Sequence, residues 1–344
     1  MIKITHHALI ATATAAFFFF PAAASASDTL LFHIYSRALP PSVVSQSLAG
    51  AGTAMPLCGF QGLVNPALAT VIGRSNGVLA AGYGRDPMFD KAMVPFGVVF
   101  RDKTGGAMGG YYRYHGGADV SVHDAVANFS GRISEQVDHQ GAVEFGMNLR
   151  YEHATRRASL AYETAGVNEN GDSVTILRHR NVNLHGRSLL LDIGFYQPHA
   201  LWGADFSIVL PNLAGYRWTD ISGSDEESGW SGSRWRTVII GINYPVPIGG
   251  AVLLQIPLDV EIANLFVRSA PNRYILRAGV EARVLQNFNF RFGYAYAPED
   301  PLDLITDFNY KNLFFGGIGI DIKPLRFDFF AGRDEFGGAV TYYY

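Results

Sequence analysis

The sequence predicts an all-β fold: a transmembrane antiparallel β-barrel of about fourteen strands with a small N-terminal plug. Three observations carry this expectation. Segments of roughly 9 to 12 residues, the length a tilted strand needs to cross a bilayer, alternate apolar and polar residues. Beyond the first 26 residues, no apolar run approaches the roughly 20 residues of a membrane-spanning helix. The gaps between alternating segments are mostly short and long in turn, as in a barrel with tight turns on one side and long loops on the other.

The N-terminus reads as an export signal covering residues 1–26. Lys3 makes a positive start, Ala8 to Phe20 is apolar, Pro21 breaks any helix, and Ala24-Ser25-Ala26 is a small-residue cleavage box. Removing 26 of the 344 residues leaves 318, and losing Lys3 moves the formal net charge from −3 to −4. A mildly acidic chain without a basic stripe has no evident use for nucleic acid. The single cysteine, Cys58, allows neither an internal disulfide nor a cysteine metal cluster.

Residues 27–73 alternate poorly and are rich in small residues, with Pro40-Pro41, a Gly50-Ala51-Gly52-Thr53-Ala54 segment and Asn65-Pro66-Ala67. Small residues permit close backbone packing. A long stretch of this kind before a barrel is expected to fold inside it as a plug.

Residues 74–344 supply the barrel. Val143, Phe145, Met147, Leu149 and Tyr151 share one strand face, opposed by Glu144, Gly146, Asn148, Arg150 and Glu152. Tyr274, Leu276, Ala278, Val280 and Ala282 oppose Arg277, Gly279, Glu281 and Arg283, while Phe288, Phe290, Phe292, Tyr294 and Tyr296 oppose Asn289, Arg291, Gly293 and Ala295. In a membrane barrel the apolar face meets lipid and the polar face lines the lumen. The pattern gives strands near 74–84, 93–101, 105–115, 141–151, 155–164, 186–196, 201–211, 235–244, 250–263, 273–283, 286–296, 311–322, 325–332 and 336–344. The segment 118–129 is a further candidate. Gly82, Gly84, Gly109, Gly110 and above all Pro257 are candidate bends. The last strand places Phe336, Val340, Tyr342 and Tyr344 on one face and ends on an aromatic residue, so it should pair with the first strand to remove the open edge.

The segment Ser47-Leu48-Ala49-Gly50-Ala51-Gly52-Thr53-Ala54 followed by Asn65-Pro66-Ala67-Leu68 resembles the N-terminal hatch of the FadL-type long-chain fatty-acid transporters, and that of the related PorV-type outer-membrane proteins. The resemblance implies passive uptake of hydrophobic compounds across the bacterial outer membrane, with lateral exit through an inward strand kink. It makes Gly50, Gly52, Asn65, Pro66 and Ala67 hatch or gating residues. The terminal Phe336, Val340, Tyr342 and Tyr344 resemble the signal read by the barrel-insertion machinery. The implied partners are outer-membrane lipid and lipopolysaccharide, hydrophobic small molecules and that machinery, with one chain forming a monomeric barrel. The alternative is a PorV-like protein that binds secreted cargo or scaffolds a secretion complex. An open diffusion porin fits less well because of the plug.

The sequence shows no catalytic constellation, so no enzyme is expected, and no metal or other cofactor is implied. Ser222-Gly223-Ser224 and Ser231-Gly232-Ser233 lack the surroundings of a nucleophile elbow. Asp225-Glu226-Glu227 reads as a solvated loop, and His179 and His185 have no metal-ligand companions at useful spacing. Trp218, Trp230 and Trp235 read as an interfacial aromatic belt. Lumen-side Arg150, Arg277, Glu281, Arg283 and Arg291 are expected to pair among themselves.

Overall fold

A computed structural model gives the fold. It describes residues 43–344 except 57–58, 72–76, 87–90, 103–104, 117–119, 135–140, 168–172, 223–228, 232–236, 264, 266–272, 298–311 and 333–335. The export signal, Cys58 and the 225–227 acidic run lie outside the described residues.

The strands are β1 (Gly77–Asp86), β2 (Lys91–Arg101), β3 (Ala107–Gly116), β4 (Val120–Arg132), β5 (Glu144–Val167), β6 (Ser173–Leu201), β7 (Ala204–Ser222), the short β8 (Gly229–Ser231), β9 (Thr237–Ile248), β10 (Val252–Ala263), β11 (Arg273–Val284), β12 (Phe288–Tyr296), β13 (Asn312–Ile322), β14 (Leu325–Gly332) and β15 (Phe336–Tyr343). All pairings are antiparallel. Successive long strands are neighbours, β8 adds to β7, and β1 pairs with β15 from Val78–Tyr343 to Gly84–Gly337. Fourteen long strands thus form a closed barrel, and the last strand removes the first strand's edge as the sequence requires.

The alternation resolves into two environments. Tyr274, Leu276, Val280, Phe288, Phe290 and Phe292 stand exposed on the outer face. Glu281, Asn289 and Arg291 on the same strands are buried in the lumen. In water such an outer face would be a very large apolar patch; against hydrocarbon it is the favourable surface.

Two expected boundaries were wrong, and they cancel in the count. Residues 141–151 and 155–164 are not separate strands: β5 runs unbroken and pairs with β6 from Glu144–Tyr196 to Val167–Ser173. The outward face changes at His153 and Thr155 from apolar to polar, which imitates a strand end. Conversely, 118–129 does hold a strand, β4. Its outward Ala125 and Ala127 are only weakly apolar, its outward Ser121 and His123 are polar, and its buried lumen face contains Val122 and Val126, so its alternation is muted. Pro257 also proves regular in register, lying opposite Asn243 on β9, with the β10–β11 register unchanged on either side of it. Gly82 and Gly84 likewise sit in an unshifted β1–β2 register, and Gly109 and Gly110 in an unshifted β2–β3 register.

Candidate functional site

The lumen is occupied by residues 43–56 and 59–71. A short helix α1 (Val43–Ser47) leads into a turn, and α2 (Gln61–Val64) leads through Asn65 into a 3-10 helix, Pro66–Val71. Val44, Leu48, Ala51, Met55 and Phe60 pack with Val78, Ala80 and Val99 of β1 and β2 and with Phe315 and Phe330 of the nearby β13 and β14.

The Gly50–Thr53 turn is built for one wall carboxylate. Gly50 and Gly52 adopt φ of +85° and +123°, which side-chain-bearing residues seldom occupy. This backbone presents two consecutive amides outward. Gly52 N and Thr53 N donate to Asp259 Oδ2 at 3.0 and 3.1 Å, and Thr53 Oγ1 donates to Asp259 Oδ1 at 2.9 Å. Ser207 Oγ donates to Thr53 Oγ1 at 3.0 Å, adding β7 to the anchor.

The Asn65-Pro66-Ala67 box forms the second anchor. The Asn65 side chain donates to Thr53 O at 2.9 Å and to Phe195 O of β6 at 3.1 Å. Its Oδ1 accepts from Ala67 N at 3.0 Å, starting the 3-10 turn. Asn65 is fully buried, so every one of these bonds replaces one to water. Asn128 donates to Pro66 O at 3.1 Å and to Asn148 Oδ1 at 2.7 Å, and Asn148 donates to Gly62 O at 2.8 Å. All five residues singled out from the sequence, Gly50, Gly52, Asn65, Pro66 and Ala67, therefore lie where this lumen segment meets itself or the wall.

Sequence reading missed the wall's half of that fit. A Cβ on Gly194 would lie 2.1 Å from Asn65 Oδ1, and one on Gly146 would lie 2.2 Å from the Pro66 carbonyl carbon. Equivalent atoms on Gly241, Gly293 and Gly317 would meet Thr53, Leu48 and Ser47 at 2.1, 2.1 and 2.4 Å. Five strands thus present glycine where the lumen segment touches. The available signal was glycine recurring on the polar face of several barrel strands.

A charged ladder is present, but of the five residues expected to pair among themselves only Glu281, Arg283 and Arg291 do so, and Arg150 and Arg277 take other wall carboxylates. Arg277 pairs with Glu261 at 2.6 Å, and Arg150 pairs with Asp192. Glu281 receives Arg291 at 2.6 Å and Arg283 at 3.2 Å, while Asp328 takes Arg291 at 2.8 Å and Arg326 at 2.9 Å. The Glu281–Arg291–Asp328–Arg326 chain is buried, and its charges compensate within the lumen.

One wall feature departs from the regular ladder near this segment. Between the pairs Leu191–Ala214 and Ile193–Leu210, β6 advances two residues while β7 advances four. The extra chain is a bulge at Pro211, Asn212 and Leu213, with Asn212 at φ +54°. Asn212 N donates to Asp192 Oδ1 at 2.8 Å. Asp192 is buried on the lumen side, so the bulge is drawn inward. The β7–β9 ladder stops at Val209–Ile239, although β9 continues to Thr237. Leu190 and Leu213 are buried beside the bulge. Asp192 lies two residues from Gly194, so the bulge is about 7 Å along the strand from the Asn65 contact.

The terminal Phe336, Val340, Tyr342 and Tyr344 all stand on the outer face, each more than a third exposed. Trp218 and Trp230 are register partners between β7 and β8. Among the described residues, no group of histidine, cysteine, aspartate or glutamate is arranged to hold a metal ion.

No protein-family model matches the sequence, and no curated protein matches it. Solved structures match the fold. The TodX monoaromatic hydrocarbon channel, in a deltaS2 mutant, gives a TM-score of 0.58 at 9% identity, covering 88% of this chain and 97% of that one. The CymD monoaromatic hydrocarbon channel gives 0.55 at 12%, covering 90% and 98%. A Pseudomonas aeruginosa FadL homologue gives 0.53 at 10%, covering 88% and 98%. The fold is that of the FadL-type channels. At these identities the likeness is one of architecture. These neighbours are channels and transporters by description, and none is an enzyme.

Proposed function

We propose that this barrel is a passive outer-membrane channel for hydrophobic compounds, in which residues 27–73 act as a hatch and the ligand leaves sideways beside the β7 bulge. The observation that carries the reading is the inward bulge at Pro211–Leu213, set just beyond the Asn65 contact and tied to lumen-side Asp192. Beyond it, axial passage meets the hatch and the buried Glu281–Arg291–Asp328–Arg326 chain. Charged groups of that kind offer an apolar molecule nothing, while entry into the bilayer gains about 25 cal/mol for each Å² of apolar surface removed from water. The lateral route is therefore downhill and needs no energy source. Leu190 and Leu213 give the bulge an apolar lumen side. Gly50, Gly52, Asn65, Pro66 and Ala67 act structurally, holding the hatch closed to water. The neighbours' descriptions as hydrocarbon channels and a FadL homologue support the same reading.

The test is uptake by cells expressing the full chain, using radiolabelled toluene and a radiolabelled long-chain fatty acid as separate probes. Deleting Pro211 and Asn212 restores regular register, and should abolish uptake while leaving a folded barrel in the outer membrane. Uptake unchanged by that deletion would refute the lateral route. No uptake of either probe by the wild type would shift the reading to cargo binding or scaffolding.

A further inference from the structure

The barrel's outer face carries a cluster that transport does not use. On β5 the outward residues run Phe145, Met147, Leu149 and Tyr151, then His153 and Thr155. On β6 they run Phe195, Ile193, Leu191 and Leu189, then Arg187, His185 and Asn183. On β4 Phe129, Ala127 and Ala125 give way to His123 and Ser121. Three adjacent strands thus turn from apolar to polar at one height, and each has an imidazole there. From Phe145 to His153, at about 3.3 Å per residue and a tilt of about 40°, the height is about 20 Å, close to that of a barrel's apolar band. The histidines stand at the band's rim, on the side away from the start of β1 at Gly77 and from Tyr344, where headgroups begin.

The rings form one array. His123 lies opposite His153 in register, and their rings stack at 6.3 Å and 24°. His153 and His185 stack at 6.3 Å and 14°. The Tyr112 hydroxyl is 2.7 Å from His123 Nδ1, and the Tyr114 ring lies 5.0 Å from His123. With the Tyr112 hydroxyl donating, the His123 ring proton sits on Nε2 and remains available as a donor. Arg187, opposite His153, is exposed. The remaining groups at this height are Ser121, Thr155 and Asn183, with Asp220 at the register position opposite His185 on β7.

Rings stacked face to face do not aim their nitrogens at one point, so a tetrahedral metal site is a poor fit. A row of N–H donors beside a permanent guanidinium fits an anion lying along it. The three imidazoles repel one another when charged, and an anion between them and Arg187 removes that repulsion. We infer that the His123–His153–His185 row, with Arg187, binds the phosphate group of a glycolipid in the outer leaflet, and binds it more tightly as the pH falls. This inference requires the barrel's loop end to face outward. It does not depend on what passes through the lumen, so lipid binding and uptake can fail separately.

The experiment uses the full-length barrel in phosphatidylcholine nanodiscs containing diphosphorylated lipid A. Native mass spectrometry counts the lipid retained, and phosphorus NMR reports its phosphate signals. Retention should rise at least threefold between about pH 7.5 and about pH 5, a window set low because burial, Arg187 and the flanking imidazoles hold His153 below the ordinary imidazole value. A variant carrying H123Q, H153Q and H185Q should lose that pH dependence, and R187Q should lower retention at both pH values. The wild-type pH comparison needs no variant, so a misfolded variant leaves the test standing. Equal retention of dephosphorylated lipid A, or retention and phosphate signals independent of pH, would overturn the inference. So would inorganic phosphate that displaces the lipid at equal concentration, because the site would then belong to the free ion.

Discussion

Replacing Asp259 with alanine should loosen the hatch, and the size of the effect follows from its contacts. The carboxylate accepts three bonds from the Gly50–Thr53 turn, two of them from backbone amides. Each buried donor left unsatisfied costs about 1–3 kcal/mol, so the two amides together account for about 2–6 kcal/mol. Removing a buried carboxylate recovers part of this as relieved desolvation, and Arg277 keeps its partner Glu261. A net loss of about 2–4 kcal/mol in hatch docking is expected, which is about 30- to 1,000-fold in the opening equilibrium. Hydrogen exchange read on a peptide spanning residues 48–56 of the detergent-solubilised barrel should lose protection by that factor, while peptides from β11 and β12 stay protected. Asp259→Asn, which keeps one acceptor oxygen, should fall between wild type and alanine. Unchanged protection in Asp259→Ala would refute the idea that this carboxylate holds the hatch.

Other expectations follow from the same contacts. Gly194→Val puts side-chain atoms where Asn65 sits, so it should displace the hatch and raise ion conductance in planar bilayers at least tenfold. Asn65→Ala removes bonds to Thr53 O, Phe195 O and Ala67 N, and should lower unfolding stability by about 2–3 kcal/mol in a urea titration. Arg291→Met leaves Glu281 and Asp328 short of their shared cation and should cost about 3–5 kcal/mol in the same titration. We propose that the outward aromatic ladder of β15 is the insertion signal. Tyr344→Ser should then slow assembly of the heat-modifiable folded form in cells without changing the stability of barrel refolded in detergent.

The barrel was legible because lipid imposes a strict rule. A strand facing hydrocarbon must alternate, and Phe288–Tyr296 states that rule five times in nine residues. The rule fails where the strand leaves the membrane. At His153 and Thr155 the outer face of β5 turns polar while the strand continues, and sequence alternation cannot distinguish that from a turn. It also weakens in β4, where alanines replace large residues on the lipid side and valines enter the lumen. The hatch motifs were visible as unusual local sequence, because positive φ and a buried side-chain cap demand particular residues at Gly50, Gly52 and Asn65. Their partners were not. Asp259 reads as an ordinary lumen carboxylate until the fold brings it to Thr53 across about two hundred residues of chain. The bulge was misjudged for a similar reason. Pro257 lies across from Gly279, whose missing side chain leaves room for its ring, and stays in register. Pro211 is followed by Asn212 in a left-handed conformation, and only the extra residues on β7 reveal that the ladder shifts.

The most direct measurement is a crystal structure of the full chain soaked with a brominated aromatic hydrocarbon, read by bromine anomalous scattering. The account predicts bromine peaks on the lumen side beside Leu190 and Leu213, continuing through the wall at the Pro211–Leu213 bulge. Peaks confined to the barrel's outer surface, with continuous hydrogen bonding between β7 and β9 across that bulge, would contradict it.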